Sequence, residues 1–168
     1  MSSQQGHITV VGMDTSEASQ NALRHTLSKA REGDTVHVLY CFTPLMDFVG
    51  PEFVKSPSPE QHEQWRLKEQ SNFENAIKQV DLTSPAKVET SMLAGDPRSK
   101  LLEYAKRTNA NEVVVGSHGK GFFSRNVLGS VSSYLSHHSD IPLTIVPWKR
   151  SADHPAQQQQ QQAAEAKK

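Results

Sequence analysis

The stretch VVVGSHGKGFFSRNVLGSVSSYLS, residues 113–136, passes from a buried-strand pattern through glycines into a helical pattern. Val113, Val114 and Val115 form a β-branched apolar run, as in a strand covered on both faces. Val127, Val131, Tyr134 and Leu135 recur at helical spacing, which predicts a helix from about Leu128 to His138. Between the two patterns stand Gly116, Gly119 and Gly129, the last followed at once by Ser130. A strand leading into a helix through such a loop is half of a βαβ unit, so the rest of the chain should alternate in the same way.

It does. HITVVG (7–12) reads as a buried strand. Thr15 or Ser16 can cap a following helix, with Ala18, Ala22, Leu23, Thr26, Leu27 and Ala30 on its apolar side and Gly33 as its stop. TVHVLYCF (35–42) is a second buried strand. From Thr43 to Pro59 four prolines interrupt any regular pattern, which reads as a long loop. Trp65, Phe73, Ala76, Ile77 and Val80 then fall at helical spacing. KVETSML (87–93) alternates like a strand, and Asp96 followed by Pro97 is a cap and first-position signal for a third helix. EVVVG (112–116) and IPLTIVP (141–147) complete five strands. This order predicts an α/β fold: a five-stranded parallel sheet, doubly wound, with helices on both faces in a Rossmann-like arrangement. One domain is expected over 7–148. Residues 1–6 read as a flexible N-terminus. Residues 149–168 read as a disordered Gln-rich tail, with no aromatic residue and six consecutive glutamines.

Composition narrows the function. Eighteen Lys and Arg balance eighteen Asp and Glu, so neither a basic nucleic-acid surface nor an acidic tail is indicated. The one cysteine, Cys41, cannot form an intramolecular disulfide and fits a reducing compartment. No apolar run approaches the roughly 18 residues of a membrane helix, and MSSQQGH has no secretory pattern. The expectation is a cytoplasmic protein with neither membrane nor nucleic acid as a partner.

In a doubly wound sheet, ligands sit beyond the carboxyl ends of the strands where strand order reverses. The usual order sets strands one and four side by side there. Gly12, Met13 and Asp14 leave strand one; Gly116, Ser117, His118 and Gly119 leave strand four. Glycines let main-chain N–H groups approach an anion, and a helix start adds unpaired N–H groups with partial positive charge. Ser130 supplies a hydroxyl, and Lys120 and Arg125 supply charge. Together these describe a phosphate cradle, with Asp14 across the switch point placed for a ribose hydroxyl. Other chemistries fit less well. GSHGKG lacks the Gly-Lys-Ser/Thr end of a phosphate loop. Ser117 lacks the Gly-x-Ser-x-Gly frame. His137 and His138 point about 100° apart on a helix, so they cannot easily share a metal, and Cys41 has no Cys-x-x-Cys partner. His118 is the one candidate base in the loop, so a slow ATPase remains a rival to simple binding. A protein-interaction module of the same fold is a second rival.

The residues at this point resemble the universal stress protein family, whose nucleotide-binding members carry Gly, two residues, Gly, nine residues, Gly, then Ser or Thr. Gly116, Gly119, Gly129 and Ser130 match that spacing. VVGMDTSEASQNALRHTL, HVLYCF and IPLTIVP resemble the family's first strand and helix, its second strand and its last strand, so the likeness spans residues 7–148. The resemblance implies a stress-response protein that binds ATP or AMP, with Mg2+ bridging phosphate oxygens. It implies that Asp14 holds the ribose, with Gly12 and Met13 beside it, and that Cys41 meets the adenine through its backbone. Val115 and Gly116 would flank ribose and phosphates, and Gly119, Gly129, Ser130 and Val131 would bind phosphates. Ser117 and His118 stand where members often carry Arg, and Gly12 where many carry Pro; neither departure removes a backbone donor. An exposed last strand favours self-pairing. Family members similarly dimerise through that strand, so a homodimer through Leu143–Val146 is expected.

Overall fold

Strands β1 (Ile8–Met13), β2 (Thr35–Phe42), β3 (Lys87–Ala94), β4 (Glu112–Gly116) and β5 (Leu143–Val146) alternate with helices α1 (Glu17–Lys29), α2 (Pro59–Lys78), α3 (Pro97–Arg107) and α4 (Ser130–His138). The structure is a computed structural model that describes residues 6–44, 57–118 and 128–147. Gly119, Lys120, Arg125 and Val127, most of the 43–59 segment, and the 149–168 tail lie outside the described residues. All strand pairs are parallel, in the order β3-β2-β1-β4-β5. The chain therefore runs outward from β1 to β3, crosses back, and runs outward again through β4 and β5. The reversal lies between β1 and β4, as the sequence pattern indicates.

Alternation along the central strands gives the sheet two apolar faces. Val11, Met13, Val36, Val38 and Val114 pack with Ala22, Leu23 and Leu27 of α1 and Phe73 and Ala76 of α2. Val10, Leu39, Val113 and Val115 pack on the other side with Leu101, Tyr104 and Ala105 of α3 and Leu135 of α4. Burial on both faces explains why β1, β2 and β4 read as mainly apolar runs, in which Thr9 and His37 are the buried polar positions. Helix α1 crosses β4 very closely: a Cβ added at Gly116 would lie 2.7 Å from the backbone carbon and oxygen of Ala18.

Three local readings change. Pro59 does not belong to the preceding loop but is the first residue of α2. Ser58 caps it, accepting from the Gln61 amide while the Gln61 side chain accepts from the Ser58 amide, and proline costs nothing at a position whose N–H is unpaired anyway. Helix α4 starts at Ser130 rather than Leu128, with Gly129 as its N-cap and Leu128 44 % exposed. The fifth strand is confined to Leu143–Val146. Among the described residues, no helix is long and apolar enough to cross a membrane.

Candidate functional site

The turn after β1 is built on short polar side chains. The Asp14 carboxylate accepts through Oδ1 from the Ser16 amide at 2.8 Å and from the Ser16 hydroxyl. Ser16 is the N-cap of α1, and its Oγ accepts from the Ser19 amide at 3.2 Å. Ser19 Oγ in turn accepts from the Asp14 amide at 3.2 Å and lies within donating distance of the carbonyls of Asp14 and Ser16, at 3.0 and 2.9 Å. Asp14 is thereby tied to the first turn of α1 through both its side chain and its main chain.

The exit of β4 is stitched to α4. The Ser117 amide donates to the Val146 carbonyl at 2.9 Å. The Ser117 carbonyl accepts from the Gly129 amide at 2.8 Å and from Ser132 Oγ at 3.2 Å. These bonds hold the start of α4 beside the strand end, although ten residues separate Ser117 from Leu128 in the chain. Gly129 has φ −63° and ψ 160°, an ordinary extended N-cap geometry, and no side chain caps α4. Side chains cap the other three described helices: Ser16 on α1, Ser58 on α2 and Asp96 on α3. The first amides of a helix have no intrahelical acceptor, and among the described residues no side chain caps the Ser130, Val131 and Ser132 N–H groups, which stand at the positive end of the α4 dipole.

Between these two strand exits lies a cavity of about 130 Å³. Its polar wall is Asp14 and Ser19 on one side and Gly129, Ser130 and Ser132 on the other. Its apolar wall is Leu39 and Cys41 of β2, Leu101 of α3, and Val115 and Val131. Met13, Gly116, His118 and Pro97 complete the rim. Gly12 forms part of the floor, where an added Cβ would sit 3.0 Å from a Leu101 methyl and 3.1 Å from a Val115 methyl. Burial pushes the Cys41 thiol up to about 12. Cys41 therefore stays protonated near neutrality and presents a neutral, apolar wall rather than a nucleophile. An apolar slot opening onto a carboxylate and a set of bare amides can take a flat ring at one end, a hydroxyl in the middle and an anion at the other.

A larger cleft, about 300 Å³, opens at the opposite, amino ends of the strands under the last turn of α1. The negative end of the α1 dipole meets it, as do Glu112 and Asp34. The Asp34 carboxylate is held below its usual range, chiefly by the bonds it accepts from the Arg31 and His7 amides. His7, His25, Lys29 and Arg31 also line that cleft, but it meets the C-terminal end of α1, whose dipole disfavours an anion, whereas the smaller cavity at the strand exits meets a helix start.

Of the residues singled out in the sequence, Gly12, Met13, Asp14, Cys41, Val115, Gly116, Gly129, Ser130 and Val131 all line this cavity. Ser117 does not. It is 6 % exposed, its Oγ lies 2.8 Å from His118 Nδ1, and its main chain joins β4 to β5 and α4. Gly119, Lys120 and Arg125 lie outside the described residues. The sequence reading did not single out Ser19, Leu39, Pro97, Leu101 and Ser132. Leu39 was accessible from the two-residue period of β2, since it shares a face with Cys41. Pro97 and Leu101 enter through the way α3 crosses β1 and β2, which no local pattern encodes. Ser132 carries no local signal.

A model of the Universal stress protein family matches residues 7–147. Universal stress protein MJ0531 of Methanocaldococcus jannaschii is 31% identical over 143 residues, covering 82% of this chain and 79% of that protein. A universal stress protein family protein from Arabidopsis thaliana, solved with AMP bound, superposes with a TM-score of 0.54 at 18% identity, covering 89% of this chain and 97% of that one. The universal stress protein from Archaeoglobus fulgidus in complex with dAMP superposes with a TM-score of 0.51 at 18% identity, covering 84% and 97%.

Proposed function

The chain belongs to the universal stress protein family, and from that premise we propose that it binds an adenine nucleotide in the cavity between the exits of β1 and β4. The observation that carries the reading is the start of α4, with no side-chain cap among the described residues, whose first residues line a cavity also lined by a carboxylate and apolar side chains. In this reading the adenine lies between Leu39 and Leu101, near the Cys41 main chain. Asp14 accepts from the ribose, and Gly129, Ser130 and Val131 receive the phosphates. The AMP and dAMP complexes of two structural neighbours support an adenine nucleotide as the ligand class. ATP is the form we assign here, with Gly119, Lys120 and Arg125 proposed from the sequence as further phosphate contacts. Mg2+ would be carried on the phosphate oxygens.

Isothermal titration of the folded chain with MgATP tests this. Saturable one-to-one binding in the micromolar range is expected, and nucleotide should co-purify as excess absorbance at 260 nm. A folded chain that gives no heat with ATP or AMP at several hundred micromolar refutes the function.

We also infer a regulatory homodimer joined through β5. This strand forms one edge of the sheet, and all four of its residues are only partly buried. Leu143 and Ile145 pack towards one core and Val146 towards the other. An apolar edge strand left open invites pairing with an identical strand across a two-fold axis. Light scattering at tens of micromolar should return twice the chain mass of 18.6 kDa; a monomer mass there overturns the dimer.

A further inference from the structure

We propose that Ser16 is a positioning residue for the nucleotide sugar: it touches no ligand but aims Asp14, and so sets how strongly the site prefers a ribose with free hydroxyls. The inference rests on the nucleotide-binding reading above and goes beyond it by assigning the origin of sugar discrimination. A carboxylate on a turn leaving a strand has two free torsions, and a swinging acceptor reads a hydroxyl poorly. Here Oδ1 of Asp14 is pinned twice by Ser16, once by its amide at 2.8 Å and once by its hydroxyl.

The direction of the hydroxyl bond follows from its other partner. Ser16 Oγ accepts from the Ser19 amide, so its single proton is left to point at Asp14. The relay runs from the Ser19 N–H through the Ser16 O–H to the Asp14 carboxylate, one way only. It starts in the first turn of α1, where the helix dipole favours negative charge. Ser19 holds the Asp14 main chain through its own hydroxyl. Asp14 and Ser19 line the cavity, whereas Ser16 does not. Ser16 therefore acts through Asp14, and its loss should alter what Asp14 distinguishes rather than what the base or phosphates contribute.

The test compares dissociation constants for ATP, 2′-deoxyATP, 3′-deoxyATP and 2′,3′-dideoxyATP across wild type, Ser16→Ala and Ser16→Thr. The four ligands share base and phosphates, so any general loosening of the fold or loss of the α1 cap cancels in their ratios. Wild type should prefer ATP to the dideoxy compound by roughly 30-fold, the scale of a hydrogen bond to a charged acceptor. Ser16→Ala should reduce that preference about tenfold, mainly by weakening ATP rather than by strengthening the dideoxy compound. Ser16→Thr keeps the hydroxyl and the cap and should restore the preference to within about twofold of wild type. If Ser16→Ala binds ATP and keeps the full preference, or if wild type shows none, the inference is overturned while nucleotide binding stands. A wild-type chain that takes up none of the four compounds overturns the function itself, and this inference with it.

Discussion

Replacing Gly116 by alanine is expected to lower the unfolding free energy by about 3 kcal/mol, at the upper end of the usual range for overpacked sites. Urea or guanidinium unfolding followed by far-UV circular dichroism reads it as a fall in midpoint at unchanged slope. The new Cβ would lie 2.7 Å from the Ala18 carbonyl carbon and oxygen and 3.0 Å from the Ala18 Cβ. Two of those three atoms are backbone and cannot move by a rotamer change, so α1 must lift from β4. Helix α1 buries Ala18, Ala22, Leu23 and Leu27 against the sheet, and small separations forfeit much of that packing. Gly12→Ala makes the control. There the neighbours are Leu101 and Val115 methyl groups at 3.0–3.2 Å, which can rotate aside, so the cost should stay near 1 kcal/mol. Because α1 also carries the Ser16–Asp14 turn, Gly116→Ala should weaken nucleotide binding in proportion to the displacement. A loss of stability below about 1 kcal/mol at Gly116 would mean that α1 and β4 do not approach as closely as described.

The same glycine marks the boundary of what the sequence makes legible. Its place after a buried strand and three residues before Gly119 points towards a ligand, and Gly116 does line the cavity. Its closest neighbour, however, is a helix about a hundred positions earlier, a contact that no local pattern encodes. Elements defined by near neighbours were readable. Asp96 and Pro97 announce α3 within two residues, and β2 runs over Thr35–Phe42 as its apolar run implies. The start of α2 is hidden in the sequence because a fourth proline reads as one more breaker, whereas Ser58 before it and Gln61 after it make it a helix start. The apolar period draws the start of α4 two residues early to Leu128, yet tertiary packing leaves Leu128 exposed and buries Ser132 instead. Ser132 is tolerated there because its hydroxyl donates to the Ser117 and Gly129 carbonyls, and the first of these partners lies 15 positions away. Strand exits gather the site residues by topology alone, so Asp14 and Ser130 could be brought together on paper. The α3 contribution, Pro97 and Leu101, depends on how that helix crosses β1 and β2.

Gly129→Asp is expected to weaken ATP binding at least 100-fold while leaving the fold as stable or about 1 kcal/mol more stable. Most substitutions that destroy a site also destabilise the chain; here the two effects should have opposite signs. Gly129 sits at φ −63°, ψ 160°, a conformation open to any L-residue and the one that Ser16 and Ser58 adopt at their own N-caps. Glycine is therefore not required at this position for backbone reasons. What glycine does is leave the α4 amides without an internal acceptor. An aspartate would supply one, taking up the Val131 or Ser132 N–H and neutralising the helix start, as Asp96 does at α3. Phosphate would then have to displace a tethered carboxylate of like charge. Gly129→Ser separates occupation from repulsion: a neutral hydroxyl can cap the helix but repels nothing, so its loss of affinity should be about tenfold. Melting temperature and titration with MgATP on the same samples decide the matter. Wild-type affinity in a folded Gly129→Asp chain would move the phosphates away from α4, and with them the reason for an uncapped helix at the mouth of the cavity.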